Sequence, residues 1–119
     1  MKKALSDLEH AKKSLEWKSY EWAQFAAEQA AEKALKAVCI EHKTGFTRTH
    51  DLTFLARKAG AGGEIIEKCG ILNSFYTFSR YPDAAEEMGG KLMQKAALDG
   101  INAAEEVIKW CQNQIQTRQ

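Results

Sequence analysis

Apolar residues recur along this chain at intervals of three and four, the repeat that marks one face of an α-helix. Ala4, Leu5, Leu8, Ala11 and Leu15 outline a first helix. Tyr20, Ala23, Ala27, Ala30, Ala34 and Val38 outline a long second one, with Ala31 and Leu35 widening the stripe and Gly45 as its stop. Thr49 suits the N-cap of a third helix, since its hydroxyl can accept from a free N–H of the first turn. That helix carries Leu52, Leu55, Ala56 and Ala59, and the Gly60-Ala61-Gly62-Gly63 stretch breaks the pattern after it. Ile65, Cys69, Leu72 and Tyr76 predict a fourth helix that ends at Arg80-Tyr81-Pro82-Asp83, because the residue before a proline is pushed out of helical geometry. Beyond Gly89-Gly90, the residues Ala97, Ile101, Ala104, Ile108, Cys111 and Ile115 predict a fifth. Gly100 inside it costs about 1 kcal/mol relative to alanine. Either it permits a close helix crossing or the helix starts near Asp99. No segment alternates apolar and polar residues as a half-buried strand does. The expected fold is all-α, an up-and-down antiparallel bundle of about five helices forming one domain over residues 1–119.

Composition adds boundaries to this picture. Of 119 residues, 45% are hydrophobic and 28% charged, which is a globular balance rather than a disordered one. The net charge of +1 supplies no global field to attract nucleic acid or an anionic membrane. Nucleic acid is therefore not expected as a stable partner. No apolar run approaches the roughly 20 residues that span a bilayer, and the first residues lack the apolar core of a signal peptide. The expected location is cytoplasmic, with no membrane partner. Cys39, Cys69 and Cys111 form no CxxC pair and no zinc pattern, so free, buried thiols are expected and no metal site. Trp17, Trp22 and Trp110 read as core or interface residues.

Candidate chemistry lies on the polar side of the second helix and around the two corners. Gln29, Lys33 and Lys36 share a side at i, i+4 and i+7. Glu28, Glu32 and Lys36 make a second line, with Glu32 four residues before Lys36, the favourable order for an ion pair. These lines are either a solvated charged face or a polar stripe facing an anion. His50 sits in a first turn, where the helix dipole disfavours its cationic form, and Asp51 beside it suits that dipole. Tyr76, Arg80, Tyr81 and Asp83 are the densest cluster. Arg80 presents a planar fork of donors matched to phosphate or carboxylate. It either meets a ligand, with tyrosines stacking beside it, or pairs with a carboxylate such as Glu32.

Taken together these residues resemble the HEPN family, the higher eukaryotes and prokaryotes nucleotide-binding domain. The resemblance rests on Ala26-Ala27-Glu28-Gln29-Ala30-Ala31-Glu32-Lys33-Ala34-Leu35-Lys36-Ala37, on Thr49-His50-Asp51-Leu52, and on Tyr76 followed by Ser79-Arg80-Tyr81-Pro82-Asp83-Ala84. It runs from about Ala4 to Ile115. It implies a five-helix bundle that pairs with a second copy and has a cleft near the interface. Many members work beside a minimal nucleotidyltransferase, often as toxin–antitoxin pairs; some bind nucleotides and others cut RNA. The RNA-cutting members carry an arginine, four to six residues, then a histidine. Here the histidines are His10, His42 and His50, and the nearest preceding arginine, Arg48, is two positions before His50. The resemblance is thus to the non-ribonuclease type with an Arg-Tyr-Pro-Asp motif.

The expected function is a nucleotide-binding or nucleotidyltransferase-partner module acting as a homodimer. No catalytic residue and no cofactor is assigned, and a nucleotide such as ATP is the candidate ligand. Gln29, Lys33, Lys36, His50, Tyr76, Arg80, Tyr81 and Asp83 are the candidate ligand-binding residues. The alternatives are a divergent ribonuclease toxin using Arg80 and His50, and a purely structural dimerisation or adaptor domain.

Overall fold

The apolar stripes become helices in the computed structural model, which describes residues 1–45, 48–79 and 90–117, without the side chains of 74–79, 90 and 117. Among these residues there are five helices and no strand: α1 (Lys2–Glu16), α2 (Tyr20–Glu41), α3 (Leu52–Ala59), α4 (Gly63–Ser79) and α5 (Gly90–Thr117). The all-α bundle expected from the periodicity is the observed fold. Helix α2 is its centre and packs against each of the other four, while α5 packs along α1, α2 and α4.

The residues of α2 explain that position. Ala23, Ala27, Ala30, Ala31 and Ala34 are fully buried. Their small side chains let neighbouring helices approach on more than one side, and alanine carries the best helix propensity. Bulk is supplied by Leu35 and Val38 of the same helix and by Leu52, Leu55 and Leu72 from α3 and α4. The five stripe positions tested in α1 divide: Ala4, Leu8 and Ala11 are buried, Leu15 packs at the edge and Leu5 is exposed. Exposed ion pairs join α1 to α5 (Lys12–Glu105, 2.9 Å) and α4 to α5 (Lys68–Glu106, 3.4 Å). Each contributes no more than about 1 kcal/mol.

Two boundary expectations are corrected and one alternative is resolved. Helix α2 ends at Glu41, before Gly45. Lys43 takes the left-handed conformation there (φ 57°), and the Thr44 and Lys43 N–H groups donate to the carbonyls of Cys39 and Ile40 at 3.0 and 3.1 Å. This is a Schellman stop built on lysine instead of glycine. Lys18 (φ 62°) ends α1 in the same way. The N-cap of α3 is Asp51, not Thr49: its carboxylate accepts from the N–H groups of Thr53 and Phe54. The Thr49 hydroxyl accepts from the Asp51 N–H at 3.0 Å, one step outside the helix. Of the two alternatives for the last helix, the earlier start holds: α5 starts at Gly90, so Gly100 lies inside it and is buried. The expected helix end at Arg80–Asp83 lies outside the described residues; α4 runs to Ser79, the residue before that corner.

An L-residue in the left-handed region carries a steric cost that glycine avoids. Lys43→Gly is therefore expected to raise stability by about 1 kcal/mol, read as an increased urea midpoint at unchanged slope. An unchanged or lowered midpoint would mean that the lysine geometry carries no strain.

Candidate functional site

A helix packed on several sides must bury whatever polar residues its sequence places there. Gln24, Glu28 and Glu32 recur every four residues along α2, and all three are buried, with Glu28 only 3% exposed. For the Glu28, Glu32 and Lys36 line, the solvated-face alternative is thus corrected at the two carboxylates: they point inward, because neighbouring elements pack against the face that carries them. Their fates differ. Glu32 holds two bases, His50 Nδ1 at 2.7 Å and Lys36 Nζ at 3.3 Å. An ionised Glu32 accepts from the Nδ1–H tautomer of His50. Glu28 forms no hydrogen bond or ion pair with a described residue. Burial, with a smaller contribution from the nearby Glu32 charge, pushes its carboxyl up from 4.5 to about 7.

Glu28 opens onto a groove of about 340 Å³ lined also by His50, Asp51, Thr53 and Asn73. The local sequence builds this wall through the α3 cap. Asp51 Oδ1 accepts from the Thr53 N–H at 3.1 Å, the Thr53 hydroxyl at 2.6 Å and the Asn73 amide at 2.9 Å. Asn73 Oδ1 in turn accepts from the Leu52 N–H at 3.0 Å, which ties α4 to the start of α3. The Thr53 hydroxyl, followed by the Asn73 amide and the backbone donors, holds the Asp51 carboxyl below its usual range. Glu28, Glu32 and Asn73 were not among the candidate ligand-binding residues. The signal for Asn73 was present in the chain, since it stands four residues after the buried Cys69, in the apolar stripe of its helix.

The candidate residues are distributed around α2. Gln29 and Lys33 line a groove of about 300 Å³ against α1, with Asp7, His10, Ser14, Trp22 and Phe25. Lys33 Nζ is paired there with Asp7 Oδ2 at 2.5 Å. Lys36 stands between the two sides. It lines a groove with Lys33, Met1 and Ile40, and it reaches Glu32 and so connects to His50. Helix α4 carries Tyr76, whose side chain is outside the description, as are Arg80, Tyr81 and Asp83; the alternative Arg80–Glu32 ion pair falls there too.

Other expectations resolve simply. Cys39, Cys69 and Cys111 are free and buried, as expected, and burial pushes the Cys69 thiol up to about 12, so it is not a poised nucleophile. Trp17 and Trp22 are not core residues: they are 74% and 68% exposed, and Trp22 meets Phe25 edge to face at 5.9 Å. Trp110 packs at the core's edge. Among the described residues no three His, Cys, Asp or Glu side chains are grouped to hold a metal, and no helix is long and apolar enough to cross a membrane.

An all-helical bundle with a carboxylate line buried along its central helix, opening on a polar groove at the α3 cap, defines the architecture. The chain belongs to the HEPN domain family, whose model matches residues 1–114. No curated protein and no solved structure matches it.

The raised Glu28 carboxyl is also a statement about stability. The unfolded group titrates near 4.5 and the folded one near 7. Its contribution is therefore fully present below about pH 4.5 and is lost as pH rises through 7, a change of about 3 kcal/mol. Glu28→Gln removes the titration. At pH 8 the variant is expected to be more stable than the natural chain by about 1–3 kcal/mol, and at pH 4 nearly equal to it. Urea unfolding at the two pH values checks this; a variant less stable at pH 8 would show that the ionised carboxylate is compensated.

Proposed function

We propose that this HEPN chain is a nucleotide-binding or nucleotidyltransferase-partner module of the non-ribonuclease type, working as a homodimer in a toxin–antitoxin-like pair. The observation that carries this reading is the Lys36–Glu32–His50 chain. It ties a cation through Glu32 to an imidazole that lines a groove which α4 also lines through Asn73. Arg80, Tyr81 and Asp83, the groups suited to phosphate and base, follow α4 in the sequence. In this reading Glu32 organises basic groups, and Lys33, tied to Asp7, extends the basic edge toward α1. The exposed aromatic surface of Trp17, Trp22 and Phe25 supports the homodimer, since an apolar surface rimmed by polar groups is the usual mark of a protein contact.

One observation favours a second reading, a divergent ribonuclease. A carboxylate oriented on an imidazole nitrogen, as Glu32 is on His50, is an arrangement that general acid–base catalysis uses.

Isothermal titration with nucleoside triphosphates tests the first reading. Binding is expected, and Lys36→Ala and Arg80→Ala should each weaken it about tenfold or more while the helical spectrum is kept. Absence of heat up to millimolar nucleotide would remove the nucleotide version. RNA cleavage by the natural chain, abolished by His50→Ala, would move the conclusion to the second reading.

A further inference from the structure

We propose that the groove between α2 and the α3 cap takes the N–H edge of a guanine base, with Glu28 as the residue that selects it. The proposal rests on the nucleotide-binding reading above and adds which base is read and by which side chain.

The argument begins with the polar groups that line the groove. Asn73 is engaged at both ends of its amide, by Leu52 and Asp51, and the Thr53 hydroxyl donates to Asp51. Asp51 Oδ1 closes the helix cap. These residues brace α3 against α4. Glu28 stands apart: it is 97% buried, it lines the groove, and it has no hydrogen-bond or ion-pair partner among the described residues. A buried polar group is ordinarily satisfied, so a carboxyl that no described residue meets calls for an explanation. Glu32, one turn away in the same line, has two partners. Of the two carboxylates, only Glu28 lines the groove.

What satisfies a carboxylate is a pair of N–H donors, one for each oxygen. Guanine presents its ring N1–H and its 2-amino group side by side. Adenine and cytosine present one donor next to a ring lone pair, which an ionised carboxylate repels. A groove of about 340 Å³ lies at the small end of ligand sites, suited to a base with its sugar and phosphates outside. A cation is the other occupant a carboxylate attracts, but no three metal-ligating side chains are grouped among the described residues. The titration is consistent: burial raises the Glu28 carboxyl to about 7, and two donors from a ligand would favour the charged form. A buried carboxylate that no described residue matches is a typical sacrifice of stability at a binding site.

The test measures binding of guanosine, inosine and adenosine triphosphates at pH 8 to the natural chain and to Glu28→Gln. Inosine keeps N1–H and lacks the 2-amino group. The expected result is guanosine triphosphate bound about tenfold or more tighter than either competitor, with the preference falling to within about twofold in Glu28→Gln. The variant should fold with a melting temperature no lower than that of the natural chain. Equal affinity for the three nucleotides in the natural chain, or a guanine preference unchanged in the variant, would overturn the assignment and leave nucleotide binding in place. Failure of all three to bind would overturn this assignment and the nucleotide version of the proposed function together.

Discussion

Burial of charge on the central helix is the constraint from which the rest of the arrangement follows. Helix α2 touches all four of its neighbours, so a polar residue on its packed sides must find a partner inside the molecule or remain without one. Alanines carry most of that packing and bring the neighbouring backbones close. Close approach leaves little water to solvate Gln24, Glu28 and Glu32. Isolated ionised carboxylates in such a setting are costly and either pair or take up a proton. Glu32 pairs, with a lysine of its own helix and a histidine from the segment that precedes α3. Glu28 shifts its titration. Two carboxylates one turn apart on one helix are thus separated in role by what lies across from them.

The segment around the α3 N-terminus is where this chemistry reaches the surface. Asp51 caps the helix, Asn73 locks the cap to α4, and His50, 67% exposed in its side chain, is held by Glu32. A short helix of eight residues would be marginal alone. Its cap, its buried leucines and the bond from Asn73 fix it against α2 and α4. The groove that results has helical walls in α2 and α4, and a site built on helices holds its groups more closely than one built on loops.

Much of the fold was legible in the chain because the apolar spacing is regular and glycines punctuate it. Leu52, Leu55, Ala56 and Ala59 are buried as their spacing predicts. The boundaries were less legible where an unexpected residue does the work, as Lys18 and Lys43 do in the left-handed stops, or where two adjacent groups could serve, as Thr49 and Asp51 could at one cap. The site was legible in part. The link from Lys36 through Glu32 to His50 joins two quoted motifs that are distant in sequence. The burial of Glu28 was not legible, because a helical line of Glu, Glu and Lys looks the same whether it faces water or a neighbouring helix. Only the packing of α3 and α4 against α2 distinguishes the two. Gln29 and Lys33, one helix face round, lie against α1, a separation that i, i+4 spacing does not reveal.

The most direct measurement of this account is a pH titration of the Glu28 side-chain carboxyl carbon by nuclear magnetic resonance in the folded, ligand-free protein. A buried carboxyl with no partner among the described residues is expected to change its shift with a midpoint near 7. A midpoint near the ordinary 4.5 would show a solvated or paired group, and would contradict the claim that α2 carries a desolvated carboxyl to the groove.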